Sequence, residues 1–147
     1  MPEKDTIERA RKDAREGKAP STQAGEFVRE EFEHVREGKH GARSTEQAIA
    51  IGLSKARRAG VKLPPPRKAE ATAETRKQAT RDYRKGQTSH AKPSATRSRA
   101  VRQALQREPR AVASHTALAK HAKQAAGARS KSARSEQAKR AARTRRG

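Results

Sequence analysis

Residues 44–60 read STEQAIAIGLSKARRAG, the most clearly marked helix of the chain. The Ser44 hydroxyl can accept a hydrogen bond from the backbone N–H of Gln47 while the Gln47 side chain reaches back, the pattern of a capping box. Small and apolar side chains then recur at three- and four-residue spacing, which predicts a helix with one buried face that stops at Gly60. The residues predicted to be buried are Ala48, Ile49, Gly52, Leu53 and Ala56.

Two further helices are predicted before this one. The first spans about residues 3–16 and stops at Gly17. The second takes Ser21 or Thr22 as its cap, carries an apolar stripe at helical spacing and ends at Gly38. The second and third helices are predicted to pair as a hairpin.

The chain as a whole holds few of the side chains that build a core. Leu, Ile, Val and Phe together number 14 among 147 residues, and the formal net charge is +21. This composition is typical of chains that cannot bury enough apolar surface to fold throughout. Cys is absent, which excludes disulfides, zinc–thiolate sites and cysteine nucleophiles. We find no apolar run that could span a bilayer and no apolar core of a secretion signal, so the predicted location is the cytoplasm, at the nucleoid.

The charge is concentrated after the three prolines at residues 64–66. Residues 1–63 carry 14 Lys or Arg against 11 Asp or Glu, a net of +3, whereas residues 64–147 carry 23 against 5, a net of +18. We therefore divide the chain into a small helical region at 1–63, a proline-rich linker at 64–69 and a basic, low-complexity, nucleic-acid-binding region at 70–147.

The region after the prolines is predicted to be largely disordered or transiently helical. Its apolar faces are mainly alanine, which we expect to be too small to hold a tertiary core, and like charges at four-residue spacing weaken isolated helices. The candidate helices are about 70–85, 94–107, 114–126 and 132–145, with breaks at Gly86, Pro93, Pro109, Gly127 and Gly147. The predicted fold class is thus all-α: a short N-terminal helical hairpin within three short helices, followed by a largely disordered or transiently helical basic tail rich in Ala, Arg and Lys.

One stretch of the first half resembles a known family. It runs from Phe32 to Arg58, with GKHG at residues 38–41 leading into QAIAIGLSKA at residues 47–56. In these residues the chain is similar to a family of small, basic, uncharacterised bacterial proteins. The resemblance implies bacterial origin and a similar architecture, and it brings no activity with it. The tail is similar in composition to linker-histone-like bacterial proteins, because Arg, Lys, Ala and Ser alternate along it.

The predicted function is non-catalytic, mostly sequence-independent binding of DNA, as in nucleoid-associated or histone-like proteins. Cations that replace the counterions condensed on a duplex gain affinity from the release of those ions. Arg outnumbers Lys after the prolines, and its planar guanidinium matches phosphate oxygens. The predicted contact residues are Arg76, Lys77, Arg81, Arg84, Lys85, Arg97, Arg99, Arg102, Arg107, Arg110, Lys120, Lys123, Arg129, Lys131, Arg134, Lys139, Arg140, Arg143, Arg145 and Arg146.

Several alternatives stay open. The chain could be an RNA- or ribosome-associated basic protein, or a module whose residues 21–60 dock on a protein partner or on a second copy while the tail adds electrostatic avidity. A helix-turn-helix that places Lys55, Arg57 and Arg58 near phosphates is less favoured, because its turn is long. A membrane partner is not predicted, since the helices lack an inserting apolar face.

Catalysis and metal binding are not predicted. Glu30 and Glu31 precede His34 by four and three residues, so they could share a helix face with it as metal ligands, but one copy of this pattern makes no site. No catalytic motif or phosphate-binding glycine loop is present. We therefore predict no enzyme activity, no cofactor and no metal, and we expect the acidic second helix to repel DNA.

Overall fold

The computed structural model describes residues 1–88, 92 and 94–146, and within them it is all helical, with no strand. The helices are α1 (Lys4–Arg15), α2 (Pro20–Arg36), α3 (Thr45–Arg58), α4 (Ala73–Thr88), α5 (Ala95–Gln106), α6 (His115–Gly127) and α7 (Lys131–Arg146). A short 3₁₀ helix, Ala111–Ala113, lies between α5 and α6. None of the described helices combines the length and apolar character that crossing a membrane requires.

The ends of the first three helices follow the predicted glycines. Gly17, Gly38 and Gly60 have φ angles of 73°, 76° and 98°, a left-handed conformation that glycine adopts without steric cost. The predicted cap of α2 is wrong, because α2 begins at Pro20 with Ala19 before it and has no side-chain cap. Proline suits the first helical position, since its φ is already helical and its missing N–H would have no partner there.

The cap of α3 is confirmed at Ser44. Its hydroxyl oxygen accepts a hydrogen bond from the backbone N–H of Gln47 at 3.1 Å. The Gln47 side-chain oxygen accepts from the backbone N–H of Arg43 at 2.6 Å, one residue before the expected partner. Two free N–H groups at the start of α3 are thereby satisfied, and the loop that enters the helix is fixed.

Helix α3 lies between α2 and α4, and glycines allow both close approaches. A Cβ placed on Gly52 would lie 2.6 Å from the Cα of Val28 in α2. A Cβ placed on Gly86 of α4 would lie 1.8 Å from the carbonyl oxygen of Arg57 in α3. Any larger side chain at either position would push two helix backbones apart. The predicted hairpin of α2 and α3 is confirmed, with α1 packed on α2.

The core consists of two small clusters. The first contains Ala10, Ala24, Phe27, Ala56 and Val61. The second contains Phe32, Val35, Ala42, Ala48 and Ala113, with Val112 and Leu118 packed against it. Since Val112, Ala113 and Leu118 follow the prolines, the second half of the chain completes the core of the first half.

The prediction that the tail is disordered or only transiently helical is wrong, because residues 73–146 form four helices in the described structure. The prediction relied on large apolar side chains, whereas the contacts use small residues and polar anchors. Asp82 of α4 is 1% exposed and accepts hydrogen bonds at 2.7 Å from both the Ser54 hydroxyl and the Arg58 Nε of α3. Buried hydrogen bonds to a charged group, such as these, stabilise the packing of α4 on α3, where few large apolar side chains are in contact.

The segment between α5 and α6 is also tied to the first half. The backbone N–H groups of Gly41 and Ala42 donate to the carbonyl oxygens of Leu105 and Pro109 at 2.8 and 3.0 Å. Arg36 of α2 donates from Nε to the carbonyl oxygen of Ala113 at 2.9 Å. The expectation that the apolar faces after the prolines are too small to hold a tertiary core therefore fails at this segment, where Ala113 is part of the second core cluster.

The four helices after the prolines lie close to the candidate ranges, but their breaks differ. Gly86 lies inside α4 and Gly127 is the last residue of α6, whereas Pro109 does separate α5 from the 3₁₀ helix. Pro93 and Gly147 lie outside the described residues. Helix α7 buries no residue. Its Ala, Arg, Lys and Gln have high intrinsic helix propensity, which accounts for a helix without tertiary packing.

Candidate functional site

The twenty predicted contact residues lie on all four helices after the prolines and on the turns between them. Arg76 is half-buried, and the other nineteen are exposed. They are not gathered into one pocket. Helices α4 and α7 carry the largest groups, five and seven of the twenty respectively.

Helix α4 shows how the fold orients one of these groups. Ala79, Asp82 and Gly86 are buried toward α3. The five cations of α4 line an open groove with Pro65 and Pro66: Arg76, Lys77, Arg81, Arg84 and Lys85. They stand at three- and four-residue spacing and therefore form adjacent rows along one face. Packing against α3 thus fixes which side of α4 presents positive charge to solvent.

The two halves of the chain differ in how many of their Lys and Arg side chains form ion pairs. In the first half, seven of the 14 Lys and Arg side chains form ion pairs with carboxylates, as in Arg9–Glu26 at 2.6 Å, Lys18–Asp13 at 2.7 Å and Arg29–Glu33 at 2.9 Å. The Glu26 carboxylate raises the pKa of Arg9 by accepting its hydrogen bond. Among the twenty predicted contact residues, within the described part of the chain, the single ion pair is Lys139–Glu136 at 3.2 Å. In the described structure, the other nineteen of these residues therefore have no carboxylate within ion-pair distance.

The three cations that a helix-turn-helix would direct at phosphates form hydrogen bonds within the protein. Lys55 is bonded to Glu31, and Arg58 donates to Asp82. Arg57 is buried and donates to the carbonyl oxygens of Leu63 and Pro64 at 3.3 and 3.2 Å. Burial lowers the pKa of Arg57. The end of α3 therefore offers little free positive charge to a phosphate.

The acidic residues of α2 do not form one exposed face. Glu30 and Glu31 are 2% and 0% exposed, whereas Glu26 is paired with Arg9. The acidic surface of this helix is therefore smaller than the sequence indicated, because its two central carboxylates point into the protein, and repulsion of DNA stays a prediction.

One of those carboxylates, Glu31, belongs to a cluster that the sequence revealed only in part. Ligand atoms of Glu31, His34 and His40 lie within 4.8 Å of one another. The Nε2 atom of His40 lies 3.4 Å from Oε2 of Glu31, while Oε1 of Glu31 accepts a hydrogen bond from Lys55. The sequence pattern had brought together Glu30, Glu31 and His34, but it missed His40. His40 lies in the loop after α2, so helical spacing could not place it next to Glu31. The GKHG sequence at residues 38–41 was the one feature that indicated a turn there.

The neighbours of this cluster hold its side chains in place. Glu3 Oε1 lies 3.0 Å from Nε2 of His34, and the hydrogen bond with His34 is the main cause of the lowered pKa of Glu3. The backbone N–H of Glu3 donates to Oε2 of Glu30 at 3.1 Å. The rings of His34 and His40 meet edge to face, with centroids 5.9 Å apart. The segment around Glu3 therefore packs against α2 at this cluster.

Comparison with known proteins finds that the first half of the chain is similar to a family of unknown function. No curated protein and no solved structure shows significant similarity to the chain. The stretch that resembles a family of small basic proteins, Phe32 to Arg58, lies within residues 3–68. Residues 3–68, which contain α1 to α3 and the prolines, match a family of unknown function, DUF6496.

Proposed function

We propose that this protein is a non-catalytic, mostly sequence-independent DNA-binding protein that acts at the nucleoid through phosphate contacts of its basic second half. The observation that carries the proposal is the exposed, internally uncompensated positive charge on the described helices after the prolines. A net of +18 over residues 64–147 exceeds what solubility requires and favours a polyanionic partner.

Helical order strengthens this proposal, because it fixes the spacing of the cations. Helix α7 has 16 residues and therefore a length of about 24 Å. That length spans about seven base pairs at a rise of ~3.4 Å along the duplex axis. Seven of the predicted contact residues lie on α7, and because they are distributed around the helix, only part of them can face one stretch of backbone. Such contacts carry affinity and orientation without reading the bases.

DNA is favoured over single-stranded RNA because the chain has few side chains that stack on bases. It contains two Phe, one Tyr and no Trp. Both Phe residues are buried in the core clusters. Recognition of unpaired bases relies on exposed aromatic rings, whereas contacts to a duplex backbone do not. The likeness of the tail to linker-histone-like bacterial proteins in composition agrees with this choice.

A binding titration with a charge variant of α7 tests the proposal. Arg140, Arg143 and Arg146 are replaced by Gln, and affinity for a fluorescent duplex is measured by anisotropy near 0.1 M salt. We expect a loss of at least about tenfold, because each lost phosphate contact removes about 0.9 released counterions. Two duplexes of unrelated sequence should bind with affinities that agree within about threefold.

The matched control replaces Arg9, Lys12 and Arg29 by Gln, which removes the same charge from residues already paired with carboxylates. Its affinity for DNA should fall much less. Structured RNA of equal length and anionic phospholipid vesicles serve as competitors. Equal losses in the two variants, or tighter binding of RNA or vesicles than of DNA, would contradict the proposal.

A further inference from the structure

Two buried carboxylate oxygens in α2 have no hydrogen-bond partner. They are Oε1 of Glu30 and Oε2 of Glu31, on side chains 2% and 0% exposed. The other oxygen of each residue is satisfied, by the backbone N–H of Glu3 and by Lys55 respectively. A buried, charged oxygen without a partner costs several kcal/mol in general, so such an atom indicates a missing positive group.

The imidazole of His40 faces one of these oxygens in an arrangement suited to a shared cation. Its Nδ1 lies 2.9 Å from the carbonyl oxygen of Gly41, which assigns the ring proton to Nδ1 in the neutral form. In that form Nε2 is an acceptor that lies 3.4 Å from Oε2 of Glu31, without the geometry of a hydrogen bond. Two acceptors this close repel unless a proton or a metal cation lies between them.

The separation of one pair of these atoms fits a small metal ion. Two neighbouring ligands at about 2.1 Å from a tetrahedral zinc ion stand about 3.4 Å apart, which matches the separation of His40 Nε2 and Glu31 Oε2. A ring nitrogen of His34 completes a set of three within 4.8 Å. Oxygen and imidazole nitrogen together suit first-row divalent metals rather than Mg²⁺ or Ca²⁺, which prefer oxygen alone.

We propose that Glu31, His34 and His40 bind a first-row divalent metal ion, with Zn²⁺ as the best-fitting member of that class. Glu30 Oε1, which lies 4.0 Å from His34 Nε2, is a candidate for the fourth ligand. The contact of Gly41 with Nδ1 of His40 orients that ring, as an outer partner does in protein metal sites. Glu3 Oε1 contacts Nε2 of His34, so an ion bound at that nitrogen would displace Glu3 from it. A divalent ion also offsets the negative charge of the two buried carboxylates, whose nearest Lys or Arg is Lys55.

The ion would join α2 to the loop that carries His40. That loop is already held from the other side, where Gly41 and Ala42 donate to carbonyl oxygens near the 3₁₀ helix. The site lies outside the surface proposed for DNA, so it does not depend on nucleic-acid binding. Its role would be to stabilise the junction between the two halves of the chain.

Zinc titration of the full chain tests this proposal. The protein is prepared without a histidine tag, freed of nucleic acid by nuclease and high salt, and stripped with chelator before calorimetry with Zn²⁺. We expect one ion per chain, a dissociation constant below about 10 μM and a raised midpoint of thermal unfolding, since an ion that binds only the folded state stabilises it. Co²⁺ in the same site should give the visible absorption of a low-coordinate nitrogen and oxygen environment.

Single variants locate the site. His34→Ala and His40→Ala should each weaken Zn²⁺ binding at least about tenfold, given that even outer partners contribute ~10–100-fold. His115→Ala and His121→Ala, which remove imidazoles from α6, should leave it unchanged. Circular dichroism of each metal-free variant establishes that it is folded. No Zn²⁺ binding by the unaltered chain, as expected if the cluster is only a charge network, would overturn the proposal, as would equal affinity in all four variants.

Discussion

Replacing the five cations of α4 by glutamine is expected to lower the affinity for duplex DNA by at least about a hundredfold near 0.1 M salt. Each contact with a phosphate contributes about 0.9 to the slope of log K against log salt, so the loss of five should reduce the slope by up to about 4 to 5. The five positions are Arg76, Lys77, Arg81, Arg84 and Lys85.

The helix itself should survive these substitutions. Glutamine has nearly the helix propensity of Arg and Lys, and the buried face with Ala79, Asp82 and Gly86 is left unchanged. Removing like charges at four-residue spacing relieves about 0.2–0.5 kcal/mol per pair, so the midpoint of thermal unfolding should stay level or rise. If a folded variant binds DNA within a factor of two of the unaltered chain, α4 is not part of the DNA-binding surface.

Phe27→Ala is expected to lower the free energy of unfolding by about 3–5 kcal/mol. The Phe27 ring is 1% exposed and is the largest side chain of the first core cluster, whose other buried members are three alanines and Val61. Small side chains cannot move far enough to fill the space that the ring leaves. Since small domains are stable by only about 5–15 kcal/mol, this one change should remove much of the stability.

Urea unfolding followed by circular dichroism at 222 nm measures this effect. Val101→Ala is the matched control, because Val101 is 53% exposed on α5, and its loss should change stability by less than about 0.5 kcal/mol. A Phe27→Ala protein that unfolds at the same urea concentration as the control would contradict the assignment of the first cluster as the core.

Local signals predicted the first half of the fold well. The glycines at 17, 38 and 60 end their helices, and the Ser44 cap starts α3 as expected. The positions of the later helices were also close, since alanine-rich segments between turn residues favour helix. These features depend on neighbours in sequence and can be predicted without knowledge of the tertiary contacts.

The docking of the second half could not be predicted, because it depends on pairs far apart in sequence. Gly86 packs against the carbonyl oxygen of Arg57, where a Cβ atom would not fit. Asp82 accepts hydrogen bonds from the side chains of Ser54 and Arg58. Composition arguments weigh large apolar side chains and overlook such contacts. The Glu31, His34 and His40 cluster was missed for the same reason, since His40 returns to α2 through a loop.

The central claim is that the basic helical half binds duplex DNA through its phosphates, and the salt dependence of that binding tests it most directly. The affinity of the unaltered chain for a duplex of about 30 base pairs is measured from 0.05 to 0.3 M salt. If about 8 to 12 cations contact phosphates, log K should fall against log salt with a slope of about −7 to −11. A slope between 0 and about −2, or no binding in dilute buffer, would contradict the claim.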